Sequence, residues 1–264
     1  MLKTAEKISR AQFFNALRSP VAAALLLDYD GTLAPFQRDR YRAFPYPGVT
    51  NLIRGIINTG RTRVVLVTGR TANDIIPLLG ILPYPEIWGS QGLQRLSPDG
   101  TYEMPHLNDC VQQALVAAAE WLHDQELYRM AEFKPGSIAV HWRGLPATAA
   151  EAIRERVLRG WGAIAERCHM ILLPFDGGLE IRSPGRNKGD AVRTILAEMD
   201  EQAQVAFLGD DLTDEDAFRA LEHRGLTALV RPEWRETAAD LWIRPPEELL
   251  EFLVQWLKAR QGVR

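Results

Sequence analysis

Leu25-Leu26-Leu27-Asp28-Tyr29-Asp30-Gly31-Thr32-Leu33-Ala34-Pro35 is the stretch on which the reading of this chain turns. Val21 to Leu27 is a short, unbroken apolar run, the pattern of a strand buried on both faces of a parallel sheet. It stops at two carboxylates, Asp28 and Asp30, two residues apart and followed by Gly31. A strand that delivers acids into a glycine turn places them at the carboxyl edge of the sheet, where open α/β folds bind ligands. Taken alone, the same residues also read as an ordinary Asp/Gly turn.

Other strand ends repeat the pattern. Val64-Val65-Leu66-Val67 runs into Thr68-Gly69-Arg70, where a hydroxyl and free N–H groups near a helix start suit an anionic oxygen. A helix cap is the alternative reading, since Thr71 and Asp74 have capping-box spacing. Val205-Ala206-Phe207-Leu208 runs into Gly209-Asp210-Asp211-Leu212-Thr213-Asp214. Lys188-Gly189 opens a helix marked by Val192, Ile195, Leu196 and Met199. Asp211 reads as a solvated loop residue, and Glu215 and Asp216 as helix-start charges.

Between these segments the period changes. A helical, Ala-rich segment from Cys110 to Leu122 precedes the alternating stretch Phe133–Arg143, in which Ser137, Ala139, His141 and Arg143 share a face. Thr148–Leu158 has helical composition, and two strands flank Pro174-Phe175-Asp176-Gly177-Gly178, a hairpin signal. The expected fold is therefore α/β. A doubly wound parallel sheet spans residues 1–104 and 185–264, and an inserted α+β domain spans residues 105–184.

In a parallel sheet the strand tips converge on one edge, so Asp28, Asp30, Thr68, Gly69, Lys188, Asp210 and Asp214 can meet despite their separation in sequence. A carboxylate cluster fits a hard cation, and Mg²⁺ combines one or two carboxylates with phosphate oxygens. Lys188 and Thr68 suit the phosphate. Asp28 then reads as the nucleophile that accepts a phosphoryl group, and Asp30 as the acid and base that serves the leaving alcohol and the attacking water. In the insert, Glu132, Lys134, His141 and Arg143, with Glu180 on an adjacent strand, could form a polar face that reads sugar hydroxyls. A solvated face laced with salt bridges is the alternative.

Asp28-Tyr29-Asp30-Gly31-Thr32-Leu33, Thr68-Gly69-Arg70, Lys188-Gly189 and Gly209-Asp210-Asp211-Leu212-Thr213-Asp214-Glu215-Asp216 resemble the four ordered motifs of the haloacid dehalogenase superfamily of phosphatases. Within it the chain is similar to the trehalose-6-phosphate phosphatase family, through Ala34-Pro35 after the first motif, Ala217-Phe218 after the last, and segments of the insert. Thr68, Trp142 and Gln91 stand where that family more often has Ser, Tyr and His. The resemblance implies a Rossmann-like core with a mobile cap, Mg²⁺ dependence and hydrolysis of a sugar phosphate. It also implies metal held by Asp28, the Asp30 carbonyl and Asp210, with Asp214 ligating or supporting. Phosphatases for mannosyl-3-phosphoglycerate or sucrose 6-phosphate, a phosphomutase, and a non-catalytic sugar-phosphate sensor are the other readings.

Composition sets the outer limits. The chain has 264 residues, a net charge of −3 and no long basic run, so no nucleic acid or membrane partner is expected. Met1–Lys7 is too polar for a signal peptide. The two cysteines, Cys110 and Cys168, lie far apart without ligand spacing and read as reduced thiols of a cytoplasmic protein, with a monomer favoured.

Overall fold

The computed structural model describes residues 9–37, 39–175 and 177–262, so Met1–Lys7 and the Asp176 of the expected hairpin turn lie outside the described residues. The chain divides into two compact units, Met1–Glu103 with Asn187–Arg264, and Met104–Arg186.

The first unit is built on a sheet of eight strands. In chain order its elements are α1 (Arg10–Leu17), β1 (Ala23–Leu27), α2 (Val49–Asn58), β2 (Arg63–Val67), α3 (Ala72–Leu79), β3 (Glu86–Gly89), β4 (Gln94–Leu96) and β5 (Tyr102–Glu103). The insert contributes α4 (Asp109–Asp124), β6 (Ala131–Lys134), β7 (Ser137–His141), α5 (Ala147–Arg167), β8 (Ile171–Phe175) and β9 (Gly178–Arg182). The first unit resumes with α6 (Lys188–Ala197), β10 (Gln204–Gly209), α7 (Glu215–Ala220), β11 (Leu226–Val230), β12 (Leu241–Ile243) and α8 (Glu247–Gln261). The strand order is β12-β11-β10-β1-β2-β3-β4-β5. β12 to β3 are parallel, and β4 and β5 extend the sheet antiparallel.

β1 is central, and all its residues are buried because helices cover both sheet faces. Leu25 and Leu27 join Leu66 and Leu208 on one face, packed against α1, α2 and α8 through Phe13, Phe14, Ile53, Phe252 and Trp256. Leu26 joins Val65 and Phe207 on the other, packed against α6 and α7 through Val192, Ile195 and Phe218. Register aligns the strand ends, with Leu27 opposite Leu208 on β10 and Leu66 on β2.

An ion-pair network holds the opposite end of the sheet. Arg63 and Arg95 both bind Glu86 (2.8 and 2.9 Å) and Glu198 (2.7 Å each). Burial raises the Glu198 pKa, but hydrogen bonds from Arg95 and Arg63 outweigh it and hold the carboxyl below its ordinary 4.5. A depressed folded value gives stability that is present above the unfolded value and lost as pH falls through the folded one. Glu198→Gln is therefore expected to lower stability at neutral pH by about 0.5–1 kcal/mol, discounted for its part-exposure. Urea titrations should show the gap from the parent closing as pH falls below 4.5.

The second unit is a four-stranded antiparallel sheet, β6-β7-β9-β8, whose core joins Ile138, Val140, Leu179 and Ile181 to α4 and α5. The stretch expected as one alternating strand from Phe133 to Arg143 is a hairpin, because the chain reverses at Gly136 with φ +77°. α5 also runs well past Leu158 to Arg167. Gly160 lets α5 pack closely on α4, since a Cβ there would lie 2.0 Å from Cε2 of Trp121. Pro174 sits on the edge strand, where its missing N–H breaks no central ladder. The cysteines correct the sequence reading. Cys110 at the start of α4 and Cys168 just after α5 form a disulfide, with Cα atoms 5.5 Å apart across 58 residues of sequence. The two helices pack together with those ends adjacent, a proximity that linear spacing does not reveal. No helix among the described residues is long and apolar enough to cross a membrane.

Candidate active site

Strand parity sorts the residues after β1. Tyr29 turns into the core and donates its hydroxyl to the Ala43 carbonyl at 2.8 Å, leaving Asp28 and Asp30 on the other side. Asp28 N–H still donates to Leu208 O at 2.9 Å, so the carboxylate is fixed at the last paired position of the sheet. Gly31 follows with φ +81°, and a Cβ there would lie 2.1 Å from Oδ2 of Asp210. The glycine of this loop therefore makes room for the Asp210 carboxylate.

Lys188 opens α6, after an Asn187 capping box, and is buried. Its ammonium donates to Asp28 Oδ1 at 2.6 Å and to Asp214 Oδ1 at 2.7 Å. Asp214 Oδ2 accepts the backbone N–H groups of Asp210 and Asp211 at 3.0 Å each. Asp214 thus supports the loop and orients Lys188, and is more than the helix cap an acid in this place would usually be. Thr32 Oγ1 donates to Asp28 Oδ2 at 3.2 Å.

The electrostatics are unbalanced. Asp28, Asp210 and Asp214 are all buried, and Lys188 is the cation that touches two of them. Burial, then repulsion from Asp214 and Asp30, pushes the Asp28 pKa up to about 7 against the pull of Lys188. Burial and the charges of Asp28 and Asp214 push Asp210 well above the usual carboxylate range. Burial works to strip the Lys188 proton, but Asp214 and Asp28 outweigh it and raise its pKa. One oxygen from each of the three carboxylates lies within 4.8 Å of the others. An all-oxygen, anionic and desolvated set of this kind fits a hard divalent cation, which would restore the charge balance.

Thr68 is buried at the tip of β2, the strand beside β1, and its Oγ1 accepts from Arg70 N–H at 3.2 Å. Gly69 follows in the same turn. Asp30 is held by a residue absent from the sequence-based set: Arg70 donates Nε to Oδ2 at 2.5 Å and Nη2 to Oδ1 at 2.6 Å. The two-residue spacing of Asp30 from Asp28 is visible in the sequence, but its bidentate partner lies in the turn that follows β2. Glu215 does more than its sequence position suggests. It opens α7 as a helix-start acid, as expected, and is also a buried anchor, accepting from Ala238 N–H and Thr237 Oγ1 at 2.8 Å each and from Arg235. Burial pushes its pKa up, but these bonds outweigh burial and leave it lowered. Arg235 in turn donates to Asp211 O at 2.7 Å, clamping the loop that carries Asp210.

In the second unit, Glu132, Lys134, His141 and Glu180 gather on one sheet face. His141 Nε2 is 2.8 Å from Glu132, Lys134 is 3.3 Å from Glu180, and Ser137 donates to Glu180 at 2.6 Å. Arg143 lies beyond the end of β7, exposed and packed along Gly177, apart from that strand ladder.

Known proteins place this arrangement. A model of the trehalose-phosphatase family matches residues 26–238. The trehalose-phosphate phosphatase of Mycobacterium leprae (strain TN) is 31% identical over 255 residues, covering 87% of this chain and 56% of the relative. The chain thus spans little more than half the length of such relatives. The solved C-terminal domain of trehalose-6-phosphate phosphatase from C. albicans superposes with a TM-score of 0.79 at 16% identity, covering 98% of this chain and 99% of that one. A trehalose-6-phosphate phosphatase related protein superposes at 0.71 with 23% identity, covering 90% of this chain and all (100%) of that one. At those identities the superpositions speak for the fold, which is α/β and Rossmann-like. The match over residues 26–238 takes in the end of the first strand with the acids that follow it, the insert and the acidic loop after β10, and by it the chain belongs to the trehalose-phosphatase family.

Proposed function

We propose that this chain is a phosphoric monoester hydrolase that releases phosphate from a sugar phosphate, trehalose 6-phosphate foremost, with Asp28 as nucleophile. The observation that carries the reading is the buried trio Asp28, Asp210 and Asp214 around the Lys188 ammonium. A structural ion pair needs one carboxylate, whereas three desolvated ones fit a cation and an incoming phosphoryl group.

A carboxylate oxygen of Asp28 attacks phosphorus as the bond to the sugar oxygen breaks, giving an aspartyl-phosphate and an alcohol that takes its proton from Asp30. Asp30 then takes a proton from water as that water attacks phosphorus, which frees Asp28 and inorganic phosphate. To serve the ester oxygen, the Asp30 carboxyl must turn from Arg70, to which it is ion-paired. Thr68 and the Gly69 N–H donate to phosphoryl oxygens, and Lys188 offsets their charge. Asp28, the Asp30 carbonyl and Asp210 would hold Mg²⁺, with Asp214 in support, and the ion when bound neutralises charge between carboxylate and phosphate. The second unit acts as the cap, and its Glu132, Lys134, His141, Arg143 and Glu180 read the sugar hydroxyls. The substrate is a small molecule, and the enzyme works as a cytoplasmic monomer.

The test is phosphate release from trehalose 6-phosphate, sucrose 6-phosphate and mannosyl-3-phosphoglycerate, with and without Mg²⁺. Trehalose 6-phosphate is expected to be cleaved fastest and only with the metal. Equal rates on all three would replace the assignment with a generalist phosphatase. Gly31→Ala places a methyl group on the Asp210 carboxylate, so it is expected to weaken Mg²⁺ binding about 10- to 100-fold by calorimetric titration.

A further inference from the structure

Ser90-Gln91-Gly92, directly after β3, holds three consecutive residues in the left-handed region, at φ +49°, +59° and +91°. Two of them are not glycine, and such backbone persists only where surrounding structure enforces it. The enforcement is visible. Ser90 N–H donates to Arg70 O at 2.7 Å, and Gln91 N–H donates to Thr68 O at 2.9 Å. Gly92 lies against the start of α6, where a Cβ would meet the Asn187 carbonyl at 2.8 Å. The loop is thus stitched both to the Thr68-Gly69-Arg70 turn and to the helix start that presents Lys188.

The Gln91 side chain lies over Gly69, with Nε2 2.7 Å and Cδ 3.4 Å from the position a Gly69 Cβ would take. Its Oε1 is buried and has no hydrogen-bond partner. A buried acceptor without a donor is costly, and here a strained backbone holds it beside the turn assigned to phosphate. An ionised phosphoryl group has only acceptors to offer, so it cannot complete a carboxamide oxygen. A hydroxyl can.

Resting on the function proposed above, we propose that Gln91 is a specificity-determining residue whose Oε1 accepts a hydrogen bond from a hydroxyl of the phosphate-bearing sugar ring. A site with a desolvated acceptor discriminates against an ester that leaves it unpaired, so Gln91 separates sugar phosphates from plain aryl phosphates.

The test compares kcat/KM for trehalose 6-phosphate and for p-nitrophenyl phosphate in the parent, Gln91→Leu and Gln91→Gly. Both variants are expected to lose about tenfold on the sugar phosphate, chiefly in KM, and to stay within about threefold of the parent on p-nitrophenyl phosphate. Gln91→Gly relieves the left-handed conformation, so its melting temperature is expected to equal or exceed the parent's. Equal losses on both substrates, no loss on either, or a Gln91→Gly variant that melts lower would overturn the assignment. A parent that cleaves p-nitrophenyl phosphate but no sugar phosphate sinks the function and this inference together. An active parent with undiminished variants sinks only the inference.

Discussion

Asparagine in place of Asp28 is expected to abolish phosphate release, a loss of roughly four orders of magnitude or more, while the variant folds and still binds the sugar phosphate. The amide keeps the shape and an acceptor for Lys188 Nζ, which donates to Asp28 Oδ1 at 2.6 Å in the parent, but it cannot form the phosphoryl ester. Stability should not fall. Burial and the neighbouring carboxylates push the Asp28 pKa up to about 7, so its charge is disfavoured in the folded state even with the Lys188 ammonium beside it. Initial rates of phosphate release and a thermal melt measure both parts. Retained turnover would remove Asp28 from the chemistry.

Lys188→Met should instead damage the fold. The ammonium contributes hydrogen bonds to two buried carboxylates, and Asp210 stands beside them. Without it Asp28 and Asp214 lose the buried ammonium that pairs with both, a loss of about 3–5 kcal/mol in urea denaturation. Two further measurements separate charge from packing. Adding Asp28→Asn to Lys188→Met removes one orphaned charge and should recover part of the loss. Millimolar Mg²⁺ should also recover part of it, because an ion that binds only the folded chain stabilises it. A Lys188→Met protein as stable as the parent would mean that the acids are not held as charges.

The parallel sheet and one half of the site were legible in the sequence for a single reason. A strand buried on both faces must be a continuous apolar run, so Leu25–Leu27, Val64–Val67 and Val205–Leu208 announce themselves, and whatever follows them lies at one edge. Asp28, Thr68 and Asp210 were found as strand tips, and Lys188 as the first residue of a helix. Side-chain pairing between elements leaves no such trace. Nothing around Arg70 marks it as the partner of Asp30, nor Arg235 as the partner of Glu215, because each pair forms only once the chain has folded. The same limit hid the Cys110–Cys168 disulfide, whose ends meet because α4 and α5 pack side by side. The hairpin of β6 and β7 was masked differently. Alternation continues through Phe133–Arg143 on both sides of Gly136, so periodicity alone shows no break, and only the Pro135-Gly136 pair marks the turn.

Calorimetric titration of the metal-free protein with Mg²⁺, run on the parent and on Asp210→Asn, tests most directly whether three acids from distant parts of the chain serve one cation. One ion bound per parent chain, with binding lost or weakened about tenfold or more in the variant, is the outcome this arrangement requires. No binding to the parent at millimolar Mg²⁺, or equal binding by the two proteins, would contradict it.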